Sequence, residues 1–178
     1  AGNDGKDTSG QKIFGSIHSP GNEPSAFTIG ATNTFQTDAR ADDGVATYSS
    51  RGPTRSYWED QDGVRHHDNL LKPDMVAPGN KLVFAEASAN QIVTDNPSLH
   101  VAGSSDPTMK MMQMSGTSVA APIAAGAAAL MLQINSKLTP HDPWIAAESS
   151  LPQSMTQDDR VGISCGWSVA EQRRHLQS

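Results

Sequence analysis

Apolar positions fall in short clusters over the first 116 residues and then in one long run. Residues 1–24 are punctuated by Asn3-Asp4-Gly5, Ser9-Gly10 and Ser19-Pro20-Gly21-Asn22, a succession of turn signals that predicts a long surface loop. Ala26-Phe27-Thr28-Ile29-Gly30-Ala31-Thr32 then mixes β-branched, aromatic and small residues between turns, which predicts a short buried strand. Val45 to Ser49, Met75-Val76-Ala77 and Leu82-Val83-Phe84-Ala85 predict three more. Between them, residues 54–72 carry Glu59, Asp60, Asp62, Arg65, His66, His67 and Asp68 in one polar window, the mark of an inserted surface hairpin. From Thr117 to about Gln133 the pattern predicts a helix. Its apolar residues face every side of the wheel, so it is expected to be enclosed by protein as a central helix. After Leu138-Thr139-Pro140 no apolar period is sustained, and residues 141–178 are expected to form a poorly ordered tail to a domain over residues 1–140.

Composition narrows the partners. Apolar residues make up 36% of the 178 but aromatics only 5%, with 15 Gly and 11 Pro, so small side chains in close backbone contact must build the core. A net charge of -6, spread along the chain, argues against nucleic acid or an anionic membrane as a main partner. The apolar run from Val119 to Leu132 contains Pro122 and falls short of the about 20 residues of a membrane span. Cys165 is the single cysteine, so no disulfide within the chain and no cysteine cluster for a metal can form, and the thiol reads as incidental. The opening residues show no charged-then-apolar leader.

The candidate chemistry lies at the head of the long apolar run, in Met114-Ser115-Gly116-Thr117-Ser118-Val119-Ala120-Ala121-Pro122. A helix start leaves N–H groups unpaired and carries partial positive charge, so a nucleophile there has donors ready for an oxyanion. Gly116 lets a substrate backbone approach, and Pro122 lacks the N–H that would bond the Ser118 carbonyl. Taken alone, Thr117 and Ser118 would read as ordinary caps of an Ala-rich helix, by far the commoner role for Ser or Thr before such a run. Further strings in order along the chain decide between the two: Ala1-Gly2-Asn3-Asp4-Gly5, Ser19-Pro20-Gly21 with Ile29-Gly30-Ala31, Tyr48-Ser49-Ser50-Arg51-Gly52-Pro53, and Lys72-Pro73-Asp74-Met75-Val76-Ala77-Pro78-Gly79.

Together these resemble the subtilisin-like serine proteases, nearer to bacterial secreted members than to the shortest ones. The resemblance implies Ser118 as nucleophile and Asn3 as a side-chain donor to the oxyanion. It implies Gly2, His18, Gly116 and Thr117 along the path of a polypeptide substrate, no required cofactor and a secreted or extracytoplasmic setting. The fold it implies is the C-terminal portion of an α/β architecture: a mostly parallel sheet, helices on both faces, and a buried central helix starting at the nucleophile. In that family the order is Asp, His, Ser, with the first two well before the oxyanion Asn. Here Asn3 is nearly the first residue, and none of His18, His66, His67, His100, His141 and His175 sits in the family's His-Gly-Thr-His context. A serine hydroxyl is a poor nucleophile without a base. The expectation is therefore a fragment whose partner is the missing N-terminal half of the catalytic domain, inactive alone. Two rivals stand beside it: a noncatalytic peptide-binding module, and an esterase-like hydrolase recruiting His141 as base.

Metal sites are weaker candidates. Asp60-Gln61-Asp62-Gly63 resembles the start of a calcium loop but lacks the third carboxylate and the closing Glu. His66 and His67 are adjacent on an extended segment, so they point to opposite faces and do not share an ion. The motifs end near Pro140, where the family continues with an amphipathic helix that Asp142-Pro143 does not supply; a shifted frame or altered C-terminus would account for this.

Overall fold

A computed structural model describes residues 1–39, 41–102 and 108–138. The expected tail over 141–178, with His141, Cys165 and His175, lies outside the described residues. The first strand, β1 (Ile29–Asn33), runs parallel to β5 (Met75–Pro78) and antiparallel to the two-residue β2 (Gly44–Val45), giving the order β2-β1-β5. The polar window folds as the antiparallel hairpin β3 (Tyr57–Glu59) and β4 (Arg65–His67). A third sheet, in the order β6-β8-β7, joins β6 (Leu82–Ala85), β7 (His100–Val101) and β8 (Met111–Met114), all antiparallel. A short helix α1 (Gln91–Asp95) precedes β7, and the long helix α2 (Thr117–Ile134) follows β8.

The core is built from small residues, as the composition requires. Ile29, Ala31, Ala46, Ala77, Ala120 and Ala124 form one cluster, with Phe27, Tyr48 and Met75 packed against it. It sits between α2 and the β1–β5 pair. The spacing of Thr117, Ala120 and Ala124 puts three small buried residues on one helix face, so the α2 axis can approach the sheet closely. Gly79, just after β5, is the tightest point: a Cβ there would lie 2.7 Å from the Ala31 Cβ, 2.9 Å from the Gly116 carbonyl and 3.1 Å from the Ala120 Cβ. Gly79→Ala must push α2 off the sheet. It is expected to cost about 1–3 kcal/mol in urea unfolding, and an unchanged midpoint would show that the helix yields freely.

Several expectations are corrected. The strand expected over 45–49 stops at Val45, because the Ser49 N–H turns back to the Ala46 carbonyl (2.9 Å) and the Ser49 hydroxyl accepts the Ala31 N–H (3.1 Å). A mostly parallel sheet with helices on both faces is not what the described residues form: parallel pairing is confined to β1 and β5, and α2 is the long helix against them. Nor is α2 enclosed. Beyond its three buried residues it shows Ile123, Leu130 (65% exposed), Leu132 and Ile134 (89% exposed) to the outside. At 18 residues α2 is also, by length and composition, long and apolar enough to cross a membrane, more than the run from Val119 to Leu132 suggested. Its Thr117, Ala120 and Ala124 face is nonetheless committed to the sheet.

Candidate active site

Residues 1–5 form no helix or strand, yet they are stitched into the body of the domain. The Ala1 nitrogen donates to the Ile29 carbonyl (2.9 Å), the Gly5 N–H to the Tyr48 carbonyl (2.9 Å), and the Arg51 guanidinium to the Gly5 carbonyl (2.9 Å). Gly2 has φ +111°, a conformation that favours glycine, and a Cβ there would meet the His18 ring (2.7 Å) and the Ser50 hydroxyl (2.8 Å). Residues 1–24 form no helix or strand, as expected of a loop, and the first five of them are held against the turn at residues 46–51.

This segment meets the head of α2 across more than a hundred residues of sequence. The Gly2 N–H donates to the Thr117 hydroxyl (3.2 Å), and the Thr117 N–H donates to the Asn3 side-chain oxygen (2.9 Å). Two groups are therefore joined crosswise. With its oxygen held by Thr117, the planar Asn3 amide has the direction of its nitrogen fixed, and that nitrogen donates to no acceptor among the described residues. A Cβ placed on Gly116 would lie 3.5 Å from the Asn3 Nδ2 and 3.8 Å from the Ser118 backbone nitrogen. Those two donors converge on the face that Gly116 leaves bare. As the second residue of α2, Ser118 has an N–H with no acceptor inside the helix, and the residue is exposed.

Behind the site, the Gly116 N–H bonds the Gly79 carbonyl (2.8 Å), which also accepts the Tyr48 hydroxyl (2.6 Å). Burial pushes the Tyr48 phenol up from its ordinary value, opposed by the Gly116 backbone, so at neutral pH it remains a donor. The Lys81 N–H bonds the Ser115 hydroxyl (2.8 Å), which completes the support of the turn into α2.

What this arrangement can do is clear from its parts. An exposed hydroxyl at a helix start, flanked by a backbone N–H and a fixed side-chain amide, suits addition to a carbonyl carbon whose oxygen becomes negative. A proton acceptor for Ser118 is not among the described histidines, which are engaged elsewhere. His18 pairs with Asp4 (2.6 Å), His66 with Asp60 (2.7 Å) and His100 with Glu86 (2.7 Å), while His67 lies edge-on to Tyr57 with ring centroids 5.7 Å apart.

The remaining candidates are placed as follows. Gly2, Gly116 and Thr117 gather around Asn3 and Ser118, and the His18 ring stands over Gly2 and pairs with Asp4. His66 and His67 point to opposite faces of the hairpin, His66 stacked on Trp58 (4.3 Å). The Asp60 carboxylate closes its own turn, accepting from the Asp62 and Val64 N–H groups and meeting His66; these bonds, the one to His66 foremost, hold it below the usual carboxylate range. Among the described residues no group of three or more His, Cys, Asp or Glu is placed to hold a metal ion. Three contributors were missed in the sequence: Ser50, Tyr48 and Gly79. Each stands in a quoted string, but only its contacts reveal its part.

Comparison with known proteins bears on the same residues. The sequence model of the subtilase family, described as Peptidase_S8, matches residues 1–167, past the point near residue 140 where the motifs end. The chain is 37% identical over 142 residues to the serine protease AprX of Bacillus subtilis (strain 168), covering 80% of this chain and 27% of that protein. It is 41% identical over 96 residues to the subtilisin-like protease SBT2.3 of Arabidopsis thaliana (54% of this chain, 10% of that protein) and 32% over 123 residues to SBT1.9 of the same plant (68% and 14%). The chain thus spans about a quarter or less of the length of these relatives.

Proposed function

This chain belongs to the subtilase family of serine peptidases, and we propose that it is the nucleophile-bearing part of a subtilisin-like endopeptidase. Ser118 is the nucleophile, and the Ser118 N–H and the Asn3 side-chain amide are the oxyanion donors. The observation that carries this is the 2.9 Å bond from the Thr117 N–H to the Asn3 oxygen, which brings the amide beside Ser118. In the reaction the Ser118 hydroxyl adds to a peptide carbonyl carbon as a base removes its proton. The two donors hold the new oxyanion. Collapse of the adduct breaks the C–N bond, the amine leaves with the proton from the base, and water then hydrolyses the acyl ester.

The base and its orienting carboxylate come, in this proposal, from residues outside the 178. The chain alone does not hydrolyse peptides, its substrate in the completed enzyme is a polypeptide, no cofactor takes part, and the setting is extracytoplasmic. The completed domain carries the mostly parallel sheet with helices on both faces. Residues 141–178 stand outside its motif-bearing part.

The decisive experiment mixes the chain with an N-terminal half from a close relative that contains the family's Asp and His. Casein hydrolysis and fluorophosphonate labelling are expected for the mixture and absent for either piece. A chain that is labelled alone at Ser118 points instead to a local base such as His141. A mixture that binds peptides without turnover points to the noncatalytic module.

A further inference from the structure

We propose that Ser50 is a positioning residue for Asn3, clipping the backbone on both sides of it so that the side-chain amide faces the site beside Ser118. The proposal rests on the reading of Asn3 as an oxyanion donor. Ser50 is fully buried (0% exposed), under an exposed Asn3. Its N–H donates to the Gly2 carbonyl (3.0 Å) and its hydroxyl accepts the Asp4 N–H (3.0 Å). Gly2 and Asp4 are the two neighbours of Asn3, so one residue fastens both peptides that flank the donor.

The clip matters because the Asn3 side chain is exposed, and the bonds that hold the rest of the segment are made by its neighbours rather than by the two peptides flanking Asn3. An exposed Asn side chain rotates freely unless its backbone is fixed and one end of its amide is held. Thr117 holds the oxygen; Ser50 holds the backbone from which that oxygen is reached. Serine is suited to the place. It offers an acceptor, and the position a Cβ would take on Gly2 lies only 2.8 Å from its hydroxyl, which shows how closely the two residues pack. Residue 50 and residue 2 are small for the same reason.

The test is amide hydrogen exchange, read by NMR on the full chain carrying Ser50→Ala. The Asp4 N–H loses its acceptor directly. The informative group is the Thr117 N–H, which touches Asn3 and not Ser50. Its exchange is expected to rise about tenfold, while the Gly79 N–H, bonded to the Thr32 carbonyl (3.0 Å), and the Ala46 N–H, bonded to the Ala31 carbonyl (2.9 Å), stay unchanged. Unchanged exchange at Thr117 overturns the proposal, and so does a uniform rise at all four groups, which is what a merely structural serine gives. Ser50→Cys, of similar size but with a weak acceptor, is expected to lie between and serves where Ser50→Ala does not fold.

In the completed enzyme, Ser50→Ala is expected to lower kcat about tenfold at unchanged KM, and to cost nothing further in an Asn3→Ala background. Equal losses in both backgrounds overturn the link through Asn3. Faster Thr117 exchange without any loss of kcat overturns the oxyanion role of Asn3 itself. A mixture that shows no activity at all leaves the exchange result to decide the clip.

Discussion

Ser118→Ala, tested in the chain completed by a relative's N-terminal half, should lower casein turnover by about 10⁶, the size of loss known for the nucleophile of a subtilisin. The size follows from the mechanism. Without the hydroxyl no acyl ester forms, and what remains is whatever the oxyanion donors and substrate binding do for attack by water. Asn3→Ala in the same mixture should lose far less, about 10²–10³ in kcat, a cost known for such a donor in a subtilisin rather than one worked out from these distances. Its effect on KM should be small, because the amide is aimed at charge that exists only in the transition state. The contrast is the test. If Ser118→Ala keeps wild-type activity, the nucleophile is elsewhere. If Asn3→Ala is as damaging as Ser118→Ala, Asn3 holds the fold rather than the oxyanion.

The site was legible where chemistry is local to a string. Gly116-Thr117-Ser118 predicts a helix start, and the start at Thr117 is where the structure has it. Leu82–Ala85 and the hairpin around Asp60 are likewise found where their patterns put them, since period and turn chemistry act over a few residues. What failed was anything decided at long range. Val45 to Ser49 has strand composition, but Ser49 spends its hydroxyl on Ala31, and the chain turns. Met111–Met114 carries no alternation, and it becomes a strand because β6 and β7 pair on either side of it. Ser50, Tyr48 and Gly79 could be quoted as part of a motif without any sign that one pins Asn3 and the other two support Gly116.

The all-round apolar pattern of α2 is the most informative of these disagreements. The sequence calls for a helix covered on every side, whereas the structure covers it on the face of Thr117, Ala120 and Ala124. Substitutions on the uncovered face should therefore depend on what the chain is bound to. In the chain alone Leu130 is 65% exposed, so Leu130→Ala removes little buried surface and should stay within about 0.5 kcal/mol. In the completed domain the same face is expected to be packed, and Leu130→Ala should then cost about 2–5 kcal/mol, as for a core leucine. Ala124→Leu behaves in the opposite way. It overfills the contact with the sheet in both settings and should destabilise both by about 1–3 kcal/mol. Urea unfolding of the chain and of the mixture, with each variant, reads the difference directly. Equal small effects of Leu130→Ala in both would mean that the partner half leaves this face bare, and the reading of α2 as the central helix of the completed domain would have to be abandoned.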